Sequence, residues 1–275
     1  MRLLHQNLVS SSKCVQEAVE LLRNSGGCAP AAEIVDRILQ QPLMDNELAA
    51  LLISDLIKDD HRLRVRDDHI VELTCEDTET RPLHETDFVV FDLETTGANW
   101  PPSRITEIGA YRIERGRIVS EFQTLVNPQT QIPPFVAQLT GITDKMVRAA
   151  PVFAEVAHAW LDFAGDAVLI AHNALFDVNF LNHEIASVFP GQRMVNAHLC
   201  TVRLARRVVP GLLNYRLHTV AEHFTIPIKN RHRASGDARA TAEIFLHLLD
   251  RLRDHGVRDL AAARRFRLEL PQENP

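Results

Sequence analysis

The chain has 275 residues and a mass of 31.0 kDa, room for one large domain or two smaller ones. With 45% hydrophobic and 24% charged residues it has the makings of a packed core, which excludes a disordered chain. No apolar run reaches the ~20 residues that cross a bilayer, and the first twenty residues lack the continuous apolar stretch of a signal peptide. The formal net charge of −6, taken over the whole chain, opposes a basic interaction footprint. Cys14, Cys28, Cys75 and Cys200 lie far apart with no C-x-x-C pair, so reduced thiols and a cytoplasmic location are expected.

In chain order, Val15, Ala18, Val19, Leu21 and Leu22 predict a helix over residues 12–24, ended by Gly26-Gly27. Pro30 opens a second helix with Ile34, Val35, Ile38 and Leu39 as its apolar stripe, and Pro42 ends it. Asp45 caps a third, with Leu48, Leu51, Leu52, Leu56 and Ile57 expected inward. RLRVR-DD-HIVEL then reads as a hairpin. Three helices and a hairpin in residues 1–74 resemble a winged-helix module by their pattern of elements. Residues 75–86 are polar and acidic, a linker.

The texture then changes. FVVFDLE is a buried strand. RITEIGAYRI and RIVSEFQTLV are two more, joined by a turn at Glu114-Arg115-Gly116. Helices are expected near 134–140 and 151–163, then the strand AVLIAH and a helix from Asp177 to Val188. Further helices fill 203–209, 216–224 and 236–253. This order predicts an α/β domain with a mixed sheet over residues 87–253, followed by a tail, 254–275.

Three motifs carry chemistry. Asp92 and Glu94 close the first strand of that domain, and strand periodicity sends both carboxylates to one face. Two adjacent carboxylates repel unless a cation lies between them, so D-x-E suggests a metal site; two solvated surface acids is the alternative. In His172-Asn173-Ala174-Leu175-Phe176-Asp177, Asp177 opens a helix at the carboxyl end of a buried strand, where α/β folds place ligands. A plain helix cap remains the alternative, and His172 is expected to be a satisfied core histidine rather than a ligand. In His232-Arg233-Ala234-Ser235-Gly236-Asp237, a loop histidine with an accessible pKa precedes a helix that opens near Asp237.

In this order and context the motifs resemble those of the DEDDh branch of 3′–5′ exonucleases. The likeness is nearest to the epsilon proofreading subunit of bacterial DNA polymerase III and its stand-alone relatives. It runs from about Asp87 to Leu249 and includes FDLETTG, IAHNALFD and HRASGDARATAEIF. It implies an RNase H-like fold, with Asp92, Glu94, Asp177 and Asp237 as ligands of two Mg²⁺ or Mn²⁺ ions and His232 as general base. The all-oxygen donor set suits those ions better than zinc. It further implies contacts to the terminal nucleotide from Leu93, Thr95, Thr96, Leu139, Thr140, His172, Asn173 and Phe176. Relatives often carry Asp where this chain has Cys200, and the segment GANWPPS (97–103) is its own; whether Trp100 there flanks substrate or covers the strand stays open.

The expected function is metal-dependent hydrolysis of DNA 3′ ends, single-stranded DNA above all, in proofreading or repair. The short tail, with no Q-x-x-L-x-L motif, favours a stand-alone enzyme. An exoribonuclease, or a winged-helix regulator with an inactive nuclease-like domain, remains the alternative. The acidic third helix makes residues 1–74 a protein-docking module first, with Arg62, Arg64 and Arg66 as the contact if the hairpin touches DNA. Charge by segment removes the opening objection. Residues 1–84 hold 9 Lys and Arg against 15 Asp and Glu. Residues 85–192 hold 6 against 13, and residues 193–275 hold 15 against 8, so the later domain is neutral and polarised into an acidic and a basic part.

Overall fold

The structure, a computed structural model, describes residues 5–42, 45–74 and 78–268. The start of the expected linker, residues 75–77, and the end of the expected tail, 269–275, lie outside them. In chain order the elements are β1 (Leu8–Ser10), α1 (Lys13–Asn24), β2 (Cys28–Pro30), α2 (Ala31–Leu39), α3 (Asn46–Leu56), β3 (Leu63–Val65) and β4 (Ile70–Leu73). There follow β5 (Phe88–Thr95), β6 (Ile105–Glu114), β7 (Arg117–Leu125), α4 (Pro134–Thr140), α5 (Asp144–Val147), α6 (Phe153–Ala164), β8 (Val168–Ala171) and α7 (Ala174–Val188). The chain continues through β9 (Gln192–Met194), β10 (His198–Cys200), α8 (Thr201–Val208), α9 (Leu217–His223), α10 (Ala234–Asp254) and α11 (Leu260–Arg265). No helix among the described residues is long and apolar enough to cross a membrane.

Two compact units emerge: Met1–Asp77 with Ile185–Val195, and Thr78–Glu184 with Asn196–Pro275. In the first, Val15, Val19 and Leu22 of α1 pack with Ile34 and Val35 of α2, Ile53 of α3 and Val71 of β4. The expected hairpin β3–β4 gains a third antiparallel strand, β2, in the order β2-β4-β3. Asp45 caps α3 as expected, accepting from the backbone N–H groups of Glu47 (3.1 Å) and Leu48 (3.4 Å). The inward face of α3 differs from the expectation. Ala49, Ala50, Ile53 and Ile57 are buried, whereas Leu48, Leu51 and Leu52 are exposed. The reason is that NELAALLISDL is apolar almost all round, and packing against α2 selects its alanine face. The hairpin arginines also differ from a free basic wing. Arg62 is buried in a paired bond to Asp60 (2.7 and 2.9 Å), Arg64 pairs with Glu72, and Arg66 pairs with Asp68 at 2.8 Å. Segment Ile185–Val195, expected inside the catalytic domain, belongs to the first unit because β9 pairs antiparallel with β1 (Leu8 opposite Met194).

The second unit is built on a five-stranded sheet in the order β10-β8-β5-β6-β7. β10, β8 and β5 run parallel; β6 and β7 run antiparallel to their neighbours. This is the expected mixed α/β architecture. The strand alternation assigns the layers. Phe88 and Val90 point to a core shared with α8–α11, where Phe88 meets Phe245 of α10 edge-on at 4.9 Å. Phe91 faces the other side, against Trp160 of α6 at 5.4 Å. Residues 78–86 and 254–268 are folded against this unit. Glu79 pairs with Arg264 at 3.0 Å, the Leu83 N–H donates to the Arg258 carbonyl, and Leu260 and Ala263 are fully buried. α7 begins at Ala174 and α10 at Ala234, each earlier than expected, so Asp177 and Asp237 lie inside the first turn rather than at the cap.

Candidate active site

Asp92 and Glu94 have the parity of Phe88 and Val90, so the strand that buries those two aims both carboxylates at the face covered by α10. There they meet Asp237. One carboxylate oxygen from each of Asp92, Glu94 and Asp237 lies within 4.8 Å of the others. Asp177 stands outside that trio but beside it. Its charge raises the pKa of Asp92, while the nearby Leu93 backbone N–H lowers its own.

The approach of α10 depends on Gly109. It lies on β6 directly opposite Asp92, and a Cβ there would sit 2.3 Å from the backbone of Ala234 and Ser235. No side chain fits. Gly109→Ala must push the first turn of α10, and Asp237 with it, off the sheet. A displacement near 1 Å costs about 10²-fold in a positioned site. Gly109→Ala is therefore expected to lose at least that much turnover while circular dichroism stays that of the wild type; wild-type turnover would show that α10 can be held elsewhere.

The same turn is pinned by a pair that the sequence reading missed. Glu107 on β6, opposite Glu94, is fully buried. It accepts from Arg233 Nη2 at 2.7 Å and Nε at 2.9 Å, and from the Ala234 N–H at 2.9 Å. Its signal was only an acid within the buried run ITEIGA, and strand alternation gave no reason to separate it from a solvated one. A second buried acid, Glu184 of α7, accepts from Arg104 Nε (2.8 Å) and Nη2 (2.9 Å) and from the Ile105 N–H (3.2 Å). Trp100 stacks on His183 at 5.6 Å and lies under Arg104, so the idiosyncratic loop covers α7.

Electrostatically the acids are strained. Burial pushes Asp92 well above the usual carboxylate range, and Asp177, Glu94, Asp237 and Glu107 add to it. Glu94 is raised to about 7, by burial first and then by Asp237 and Glu107, with Arg233 opposing. Burial raises Asp177 to about 8 against the lowering effect of backbone N–H donors. Asp237 is raised by burial, and the His232 N–H, donating to its Oδ2 at 3.2 Å, offsets part of that. Its other oxygen, Oδ1, is enclosed with no hydrogen-bond partner. Four acids that resist ionisation, one with an unpartnered oxygen turned inward, form a donor set that a cation would satisfy. The donors are all oxygen, which suits hard divalent ions.

The remaining expected residues fall as follows. His232 is half-buried in the loop before α10 with a left-handed backbone (φ 60°). His172 uses both ring nitrogens, Nδ1 with Thr201 Oγ1 (2.9 Å) and Nε2 with the Tyr215 carbonyl (3.0 Å). Burial lowers its pKa to about 4, so it is neutral, in keeping with a core histidine. Thr95 donates to the Gly97 carbonyl, and the buried Thr96 hydroxyl accepts from the Arg104 N–H. Leu93 and Thr140 are buried, and the Thr140 hydroxyl bridges the Val136 carbonyl and the Ile142 N–H. Leu139 is 57% exposed. Phe176 packs on Phe180 at 5.5 Å, and Asn173 (φ 88°) makes the turn into α7.

A mixed sheet thus carries clustered acids at the carboxyl end of its central strand, a donor set that suits a divalent cation. Residues 89–245, more than half of the chain, match the RNase_T exonuclease family, and the chain belongs to that family. It is 44% identical over 177 residues to "DNA polymerase III PolC-type" of Caldanaerobacter subterraneus subsp. tengcongensis, covering 64% of this chain but 12% of that protein. It is 39% identical over 180 residues to "DNA polymerase III subunit epsilon" of Aquifex aeolicus, covering 65% of this chain and 89% of that protein. The fold is also that of E. coli exonuclease I solved with a dT13 oligonucleotide, at a TM-score of 0.54 and 19% identity over 62% of this chain and 42% of that one.

Proposed function

We propose that this chain is a 3′–5′ exonuclease that releases nucleoside 5′-monophosphates from DNA in proofreading or repair. The observation that carries this reading is the approach of Asp92, Glu94 and Asp237 to within 4.8 Å, beside the buried Asp177. These four acids would hold two divalent ions, Mg²⁺ or Mn²⁺. When bound, such ions supply Lewis-acid stabilisation of the charge that builds on a phosphodiester under attack. The protein's own part is positional. Glu107 and Arg233 fix the first turn of α10, Gly109 lets it seat, and His232 in the adjoining loop takes the proton of the attacking water. Both relatives named above are DNA polymerase III proteins, which supports DNA as substrate. Leu93, Thr95, Thr96, Leu139, Thr140, Asn173 and Phe176 remain candidates for the pocket of the terminal nucleotide, with His172 behind them as a structural support.

The first unit, expected as a winged-helix module, is read as a protein-docking part of the molecule. Its α3 exposes Leu48, Leu51 and Leu52 beside Asp45, Glu47, Asp55 and Asp59, an apolar face with an acidic rim that repels phosphate.

Product analysis tests the central reading. Mass spectrometry of a digested single-stranded oligonucleotide should show nucleoside 5′-monophosphates; 3′-monophosphates or internal fragments would overturn it. His232→Ala should lower kcat by about 10²- to 10⁴-fold, the usual worth of a general base. Mn²⁺ binding, followed by calorimetry, should survive in that variant, and its loss would reassign His232 to the cation site.

A further inference from the structure

Away from the carboxylates, Arg203, Arg206 and Arg207 of α8 line a cavity of about 530 Å³ together with Arg267 and Leu268. The first three lie at i, i+3 and i+4, hence on one helical face. Among the described residues, Arg203, Arg206 and Arg267 have no carboxylate partner; Arg206 lies over the Tyr215 ring at 5.6 Å. The walls are tied together. Leu268 N–H donates to the Arg207 carbonyl at 2.9 Å, and Arg207 Nη1 donates to the Arg264 carbonyl. His198 nearby is lowered by burial first and then by Arg264 and Arg203, with Glu79 opposing. Guanidinium groups held together without acids cost free energy through mutual repulsion, and their planar forks match phosphate oxygens.

The position is also informative. α8 leaves β10 at Cys200, which lies beside Ala171 at the carboxyl end of β8, and β8 runs parallel to β5. The first turn of α8 therefore starts at the edge of the sheet from which Asp92 and Asp177 rise. Two strand spacings, roughly 10 Å, separate β10 from β5.

We propose that this arginine pocket is a phosphate-binding site, separate from the carboxylate cluster, that grips backbone phosphates of the strand being shortened. The proposal rests on the nuclease reading. It assigns the basic part of the domain to holding the strand and the acidic part to cutting it.

The test compares the full chain with a variant carrying Arg203→Gln, Arg206→Gln and Arg267→Gln, all exposed positions, on a dinucleotide and on a twelve-nucleotide strand in Mg²⁺ at several salt concentrations. The variant should hydrolyse the dinucleotide like the wild type but show a KM for the longer strand raised at least about tenfold. Its dependence of log KM on log salt should be shallower by about 0.7 for each phosphate that the pocket no longer neutralises. An unchanged KM and salt slope would overturn the proposal, as would equal losses on both substrates. If inorganic triphosphate inhibits the wild type but not the variant, while the longer strand's salt slope is unchanged, the pocket serves a free polyphosphate and the strand assignment falls. Should the wild type hydrolyse neither substrate, the nuclease reading fails. Fluorescence anisotropy of the labelled strand, wild type against variant, then still decides the pocket: equal affinities would sink it, and weaker binding by the variant would uphold it.

Discussion

Asp92→Asn is expected to abolish hydrolysis. The substitution keeps the shape of the side chain and removes the charge that a divalent ion needs at the centre of the cluster, where Asp177, Glu94 and Asp237 all act on Asp92. Metal-ion stabilisation of a phosphodiester under attack is worth several kcal/mol, so kcat should fall by about 10⁴-fold or more. The heat of Mn²⁺ binding should fall with it. Because the charge removed is one that burial and four neighbouring acids oppose, the metal-free variant should fold at least as well as the wild type. A variant that loses activity and unfolds would place Asp92 in the structural frame; one that keeps activity would remove it from the site.

The second large effect is on stability, and its sign is unusual. Glu94 is raised from 4.5 to about 7 and Asp177 from 3.8 to about 8 by burial. Between the unfolded and folded pKa values the native state holds protons that the unfolded state has released. Stability contributed by these groups is thus present at low pH and is lost as pH rises from about 4 to about 8. Metal-free protein should melt at a progressively lower temperature over that range, and millimolar Mg²⁺ or Mn²⁺ should reverse the fall at pH 8, since a ligand of the native state stabilises it by mass action. Asp177→Asn should raise the Tm of metal-free protein at pH 8 by several degrees, on the order of a few kcal/mol, while activity disappears. A Tm that rises with pH in EDTA, or an Asp177→Asn protein that melts lower at pH 8, would contradict this account of the acids. Together the two variants separate what the acids cost the metal-free fold from what they contribute to hydrolysis.

Much of the site could be read before the fold. Asp92 and Glu94 were legible because a strand has a strict period of two and the run before them is continuously apolar. Asp177 and Asp237 were legible as acids near helix starts, though the helices begin three residues ahead of each. What packing adds is the reason they meet, and Gly109 carries it. In the sequence that glycine is one small residue inside a strand, and only the seating of α10 against β6 shows that nothing else fits. Glu107 and Arg233 were invisible as a pair because they lie 126 residues apart, and neither disturbs a hydrophobic period. β1, β2, β9 and β10 have three residues each, too few for alternation to register. The pairing of β1 with β9 joins segments far apart in sequence, so composition gave no sign that Ile185–Val195 belongs to the first unit. The face of α3 was misread because its apolar residues surround the helix, leaving alanine size and neighbours to choose which side is buried. α11 escaped notice because Leu260 and Ala263 make too narrow a stripe for so short a helix.

The direct measurement is a ladder. A 5′-labelled single-stranded DNA incubated with the protein in Mg²⁺ or Mn²⁺ should yield successive shorter labelled products, none in EDTA, and none with Asp92→Asn. A strand that stays full length under every metal, or one that shortens equally well in EDTA, would contradict the assignment of the carboxylate cluster as a metal-dependent 3′–5′ exonuclease site.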